Sequence, residues 1–169
     1  SAIVRYLEAL NSHPAMIPID TKEAAQVHLI EDWADTTLAY AARAALLKAA
    51  AMDVDLRVAL LPDELPKPLR QVAGIFPFEL VNGMTEMLGQ GGSAELLASL
   101  EALSCLVESS SWLVGNAMSL ADIAVAAQLS LLRFPASSGF PLAGQGVPGF
   151  LDHPRLQRLF EWRDQMEFD

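Results

Sequence analysis

Ser119 and Asp122 place a hydroxyl and a carboxyl side chain three residues apart in the sequence. An aspartate just ahead of an apolar stretch could be a catalytic carboxylate. The same spacing is that of a capping box, in which each side chain accepts a hydrogen bond from the other residue's backbone N–H. Such a box satisfies donors at the start of a buried helix, with Met118 and Ile123 as a hydrophobic staple. We therefore predict a structural role for Asp122.

The other side chains that could bind a metal or react, the histidines and the cysteine, indicate no particular reaction by themselves. His13, His28 and His153 are widely spaced, form no pair four residues apart and have no cysteine nearby. This pattern gives no reason to expect a metal site. The single Cys105 falls on a leucine-rich stretch, so we predict a small buried hydrophobe rather than a redox thiol.

Composition and charge exclude several classes of partner. The 169 residues are 52% hydrophobic and 19% charged, which is typical of one globular domain with a sizeable core. The net charge of −10 makes nucleic acid and an anionic membrane poor partners. One cysteine cannot form an internal disulfide framework, and every apolar stretch is too short to span a bilayer. We expect a cytoplasmic protein.

The spacing of apolar residues predicts a long helix from about Thr21 to Met52, capped by Asp20 or Thr21. No glycine or proline interrupts these residues. The apolar positions recur every three or four residues, which is typical of a helix stripe. The predicted stripe consists of Leu29, Ile30, Trp33, Thr37, Tyr40, Ala41, Ala44 and Leu47.

Further helices follow along the chain, and no strand pattern competes with them. Residues 62–92 predict one helix that Pro77 breaks. Residues 93–109 predict an amphipathic helix capped by Ser93, with Leu96, Leu97, Leu100, Leu103 and Leu106 on one side. The apolar segment after Ser119 predicts a central helix, and a last helix begins near Pro154, with Asp152 or His153 as its cap. The prediction is an all-α fold.

Two short stretches, WLVG at residues 112–115 and SLADI at residues 119–123, resemble the motif of the glutathione transferase C-terminal domain. Residues 153–166 are similar to that family's last conserved helix, and residues 1–10 to the end of its thioredoxin-like N-terminal domain. The stretches follow each other in the family's order. The resemblance implies a glutathione transferase C-terminal-like helical bundle in which the SLADI serine and aspartate form a folding cap.

The same resemblance divides the chain into three parts. It implies that residues 1–11 are the remnant last helix of a thioredoxin-like domain, that residues 12–20 are a linker, and that residues 21–169 are the helical domain. In the family, the residue that activates the glutathione thiol belongs to the thioredoxin-like half, so no catalytic residue is assigned here. Glutathione is implied as co-substrate of the intact protein, without tight binding to this chain.

The resemblance also implies binding residues. Residues 22–37 are similar to the family segment whose aspartate reaches across the dimer interface toward the γ-glutamyl amine of glutathione. That position is Asp32, although acids on either side of it also fit a solvated helix face. By helical phase and polarity, candidates for the apolar wall of the electrophile pocket are Trp33, Thr37, Tyr40 and Phe76. An aromatic residue at helical spacing equally fits a plain core position.

The leading hypothesis is a fragment of a glutathione transferase-like protein. Its helical domain would supply a hydrophobic electrophile site and a homodimer interface for glutathione conjugation or thiol transfer. The alternative is a non-catalytic transferase C-terminal-like module that binds protein partners, as in translation factors and tRNA synthetases. The proline- and glycine-rich residues 134–149 fit either a lid near the pocket or an ordinary connection.

Overall fold

The computed structural model describes Tyr6 and residues 15–62, 64–66, 68 and 93–166. The α-helices with bounds in this part of the chain are α1 (Thr21–Trp33), α2 (Ala39–Met52), α3 (Val54–Ala59), α4 (Ser93–Ser109), α5 (Leu120–Leu132) and α6 (Gln157–Gln165). A π-helical segment, Ala34–Leu38, joins α1 to α2, and short 3-10 helices lie at Ala136–Ser138 and Pro154–Leu156. Across the described residues the all-α prediction is confirmed, with one isolated β-bridge between Arg133 and Gly146.

Two predictions lie almost wholly outside the described residues. They are the remnant helix at residues 1–11, of which Tyr6 alone is described as helical and exposed, and the broken helix at residues 62–92. No described helix is both long and apolar enough to cross a lipid bilayer.

The predicted long helix is present from Thr21 to Met52. Asp20 is its N-cap, since the Asp20 carboxylate accepts hydrogen bonds from the backbone N–H groups of Lys22 at 3.0 Å and Glu23 at 2.9 Å. These bonds satisfy two of the donors that a helix start leaves without a partner. At the other end, Asp53 adopts an extended conformation and caps α3 in the same way.

The π-helical segment changes which residues of this long helix face the core. The buried positions before and within it are Val27, Glu31, Ala34 and Leu38. Those after it are Ala39, Ala42, Leu46, Ala49, Ala50 and Ala51. A π turn holds one residue more than an α turn, so the buried series moves forward by one position. The predicted stripe was wrong in part, because Leu29 is 72% and Tyr40 58% exposed, while Trp33 is only partly buried.

The helix predicted at residues 93–109 is confirmed as α4, but Ser93 is its first residue rather than its N-cap, and its buried face differs from the prediction. Leu96, Leu100, Leu103 and Val107 are buried, whereas Leu106 is 52% exposed. Cys105 is also exposed, so the prediction of a buried thiol was wrong. The helical period explains this, since residues 103 and 107 share one side of α4 and residues 105 and 106 turn away from it.

Helix α5 is the central helix of the bundle, as its apolar sequence predicted. It packs against α1, the π-helical segment, α2 and α6. Most of its residues are buried, although Ile123, the predicted second half of the hydrophobic staple, is 42% exposed. The main core cluster joins α5 to the buried side chains of the neighbouring helices, including Leu38, Leu56, Leu100, Leu129, Leu132, Leu159 and Phe160.

The connection from α5 to α6 folds back on itself and is hydrogen-bonded to the end of α5. The backbone N–H of Phe134 donates to the carbonyl of Gln145 at 2.8 Å, and the N–H of Val147 donates to the carbonyl of Leu132 at 2.8 Å. The guanidinium of the buried Arg163 donates to the carbonyl of Arg133. These bonds hold both ends of the 134–149 stretch against the helical core. The chain leaves α5 and enters this connection at Arg133, directly after the last residue of the helix.

Candidate functional site

The Ser119 and Asp122 pair forms the predicted capping box at the start of α5. One carboxylate oxygen of Asp122, Oδ2, accepts from the backbone N–H of Ser119 at 2.8 Å and from its hydroxyl at 2.7 Å. Asp122 is 0% and Ser119 1% exposed. An ionised side chain can be buried to this degree when its oxygens accept several hydrogen bonds, and a helix start adds a favourable dipole.

The second oxygen of Asp122 extends this network to a segment outside the helix. Oδ1 accepts from the backbone N–H of Leu113 at 2.8 Å. Close to that residue, the Trp162 indole of α6 donates to the carbonyl of Ser111 at 2.8 Å. The Asp122 carboxylate thus ties the 111–115 turn to α5. Through the Trp162 indole, α6 is hydrogen-bonded to the first residue of the same turn. The hydrogen bonds of the Asp122 carboxylate are those of a helix cap, the role that its spacing from Ser119 predicts.

The binding residues predicted on the long helix lie together in its middle. Asp32 and Thr37 are exposed, Tyr40 is 58% exposed, and Trp33 is half-buried against the main core. The π-helical segment begins directly after Trp33, and its residues 35–37 are exposed in succession. The fourth candidate for the pocket wall, Phe76, lies outside the described residues. The long helix therefore presents a carboxylate, hydroxyls and an aromatic ring to solvent.

Sequence reasoning missed one acidic residue next to Asp32. Glu31 is 6% exposed and lies 3.5 Å from the Nδ1 of His28, measured from its Oε2. The run of acids around Asp32 predicts a solvated position for Glu31 as well. The burial of Glu31 could have been found from helical spacing, because it lies four residues after Val27 and three before Ala34, both fully buried. This separates Glu31, which is buried, from Asp32, which points to solvent.

Three pockets lie elsewhere on the described surface, and none of them is lined by Trp33, Thr37 or Tyr40. Two are polar clefts of about 180 and 230 Å³ that both border Ser111 and Trp162. The third is an apolar pocket of about 450 Å³ between the end of α2, the start of α4 and residues 147–150. Among the described residues, no group of three histidine, cysteine or acidic side chains is arranged to hold a metal ion.

Comparison of the sequence with protein-family models, curated proteins and solved structures found no match. The glutathione transferase resemblance therefore stays a prediction that rests on the short stretches in which it was found.

Proposed function

We propose that this chain is the helical domain of a glutathione transferase-like protein. It would supply part of a hydrophobic electrophile site and a dimer surface for glutathione conjugation or thiol transfer. The observation that carries the proposal is the hydrogen bond from Leu113 to Asp122. The WLVG and SLADI stretches resemble the family separately in sequence, and this bond makes them one structural unit.

The middle of the long helix offers groups suited to the proposed roles. The exposed Asp32 carboxylate can accept a hydrogen bond from the γ-glutamyl ammonium of glutathione, as the resemblance implies. Tyr40 and the half-buried Trp33 offer aromatic surface to an apolar electrophile. In the proposed reaction the glutathione thiolate attacks an electrophilic carbon or a disulfide sulfur, and the leaving group departs with the bonding electrons. The group that lowers the thiol pKa would belong to the thioredoxin-like half.

The test uses the natural protein that carries this sequence. Its conjugation of glutathione to 1-chloro-2,4-dinitrobenzene is measured while each substrate is varied in turn. Asp32→Asn should raise KM for glutathione, and Tyr40→Ala should raise KM for the electrophile. Asp152→Asn, at an exposed acid of the α5 to α6 connection, serves as control and should change neither. Absence of both glutathione binding and glutathione-dependent activity in the natural protein would overturn the proposal.

A second function, a non-catalytic protein-interaction module, is favoured by the apolar exposure of the same helix. Leu29 is 72% and Tyr40 58% exposed, and exposed leucine and tyrosine side chains can serve as contact positions for a partner. This function predicts a protein that is inactive with glutathione and self-associates or binds another protein. Because the leading proposal also includes a dimer surface, the test of this second function combines two results: no glutathione-dependent activity, and a lower association constant for Leu29→Ser than for the parent in sedimentation.

A further inference from the structure

The apolar pocket at the end of α2 has the size and lining of a ligand site. Its volume of about 450 Å³ falls within the range of small-molecule pockets. Its walls come from three parts of the fold: Ala45, Ala49 and Met52 of α2, Ser93 of α4, and Val147, Pro148 and Phe150 of the α5 to α6 connection. Most of this lining is hydrocarbon, so the pocket favours an apolar body over a polar one.

The mouth of the pocket carries the positive charge of Lys48, for which the described residues offer no ion-pair partner. Lys48 lines the pocket and is exposed, and it makes no ion pair with any acid of the described chain. A lysine keeps its ammonium in water while its hydrocarbon stem covers apolar surface. In a protein of net charge −10, an unpaired cation at the edge of an apolar pocket selects for an anionic group.

The acid in the lining does not cancel this preference. Asp53 borders the pocket, but its Oδ1 accepts hydrogen bonds from the N–H groups of Asp55 at 2.9 Å and Leu56 at 3.1 Å. The start of α3 thus offsets part of its charge. The 17-residue helix α4 begins at Ser93, which also lines the pocket, so the positive end of its helix dipole lies at the pocket.

We propose that this pocket binds a small amphipathic carboxylic acid. The hydrocarbon part lies among Ala45, Ala49, Val147 and Phe150, and the carboxylate pairs with the Lys48 ammonium. Met52, which is 74% exposed, covers the open side, since an unbranched thioether adapts to ligands of different shape. This site is distinct from the Asp32 and Tyr40 region and does not depend on any role in glutathione chemistry.

The experiment compares three ligands of equal chain length by calorimetry: octanoate, 1-octanol and octylammonium. Octanoate should bind most tightly and octylammonium least. Lys48→Met should weaken octanoate about fivefold and leave 1-octanol unchanged, because an exposed ion pair contributes up to about 1 kcal/mol. Lys22→Met, at an exposed lysine near the start of the same long helix, is the matched control and should leave both affinities unchanged.

A second variant tests the place of binding. Ala45→Leu puts three extra carbons into the pocket and should weaken both octanoate and 1-octanol about tenfold or more, whereas Ala25→Leu, at an exposed alanine of α1, should not. Equal octanoate affinity in the parent and Lys48→Met would overturn the charge pairing. Unchanged affinity in a folded Ala45→Leu, or no binding of octanoate by the parent, would overturn the site itself.

Discussion

Asp122 accepts a hydrogen bond at 2.8 Å from the backbone N–H of Leu113, nine residues before it. The sequence spacing predicted only the hydrogen bonds between Asp122 and Ser119. The carboxylate therefore does two tasks, because it caps α5 and holds the turn that precedes the helix. Because Asp122 has both roles and Ser119 only the first, we expect a larger loss of stability when Asp122 is replaced than when Ser119 is replaced.

Asp122→Ala should lower the free energy of unfolding by about 2–4 kcal/mol, because it leaves the N–H groups of Leu113 and Ser119 buried without an acceptor. Ser119→Ala should cost about 1 kcal/mol, the usual value for an N-cap. The double variant should cost less than the sum of both, since the residues share hydrogen bonds. Urea denaturation of the three variants measures these differences.

Asp152→Ala is the matched control for this series, since Asp152 is an exposed acid and His153, not Asp152, is the N-cap of the 3-10 helix at Pro154–Leu156; it should stay within about 0.5 kcal/mol of the parent. Equal losses for Asp122→Ala and Ser119→Ala would show that the Leu113 bond contributes nothing to stability.

Because the π-helical segment holds one extra residue, we expect the long helix to tolerate a deletion inside that segment better than a deletion elsewhere. Removing Thr36, an exposed residue of that segment, should convert it to α-helix and keep Ala34 and Ala42 on the buried side. Removing Arg43, an exposed residue of α2, should instead turn every later residue by roughly 100° and expose Leu46. Thermal unfolding of both deletions should show the smaller loss of Tm for Thr36, and a larger loss there would contradict the register argument.

Gly146 lies where the α5 to α6 connection crosses the end of α5, and no larger residue fits. An added Cβ would lie 2.2 Å from the carbonyl oxygen of Leu132 and 2.9 Å from the Cα of Arg133. Gly146→Ala should therefore cost about 2–3 kcal/mol or more, because backbone must move. Gly139→Ala is the comparison: its φ of +67° is strained for alanine, but no atom lies within 4 Å. Its cost should be about 1 kcal/mol by chemical denaturation.

Cys105 is exposed on α4, so a thiol reagent should reach it in the folded protein. Labelling by a neutral-pH disulfide reagent should go to completion without denaturant, with one thiol modified per chain. A Cys105→Ser variant, which should fold with unchanged stability, provides the blank. Labelling that requires denaturant would show that Cys105 is buried, as its leucine-rich stretch predicts, and would contradict its exposed position.

Local sequence was enough for features that depend on neighbouring residues along the chain. The Ser119 and Asp122 cap, the Asp20 cap and the extent of the long helix were all predictable, because capping and helix length depend on residue types at fixed spacings. The all-α class followed from the apolar periodicity in the same way. The role of Asp32, Trp33, Thr37 and Tyr40 in binding remains a prediction from the resemblance.

The buried face of each helix depends on how the helices pack together. The π-helical segment at Ala34–Leu38 moves the buried series by one residue, and Cys105 and Leu106 turn to solvent although their neighbours are apolar. The pocket beside Lys48 likewise joins residues from α2, α4 and the α5 to α6 connection. An alanine-rich helix has little contrast between its sides, so its orientation is set by the volumes of the helices packed around it. A local pattern carries no record of those volumes, and this is why the buried faces and the pocket emerge only when the helices are assembled.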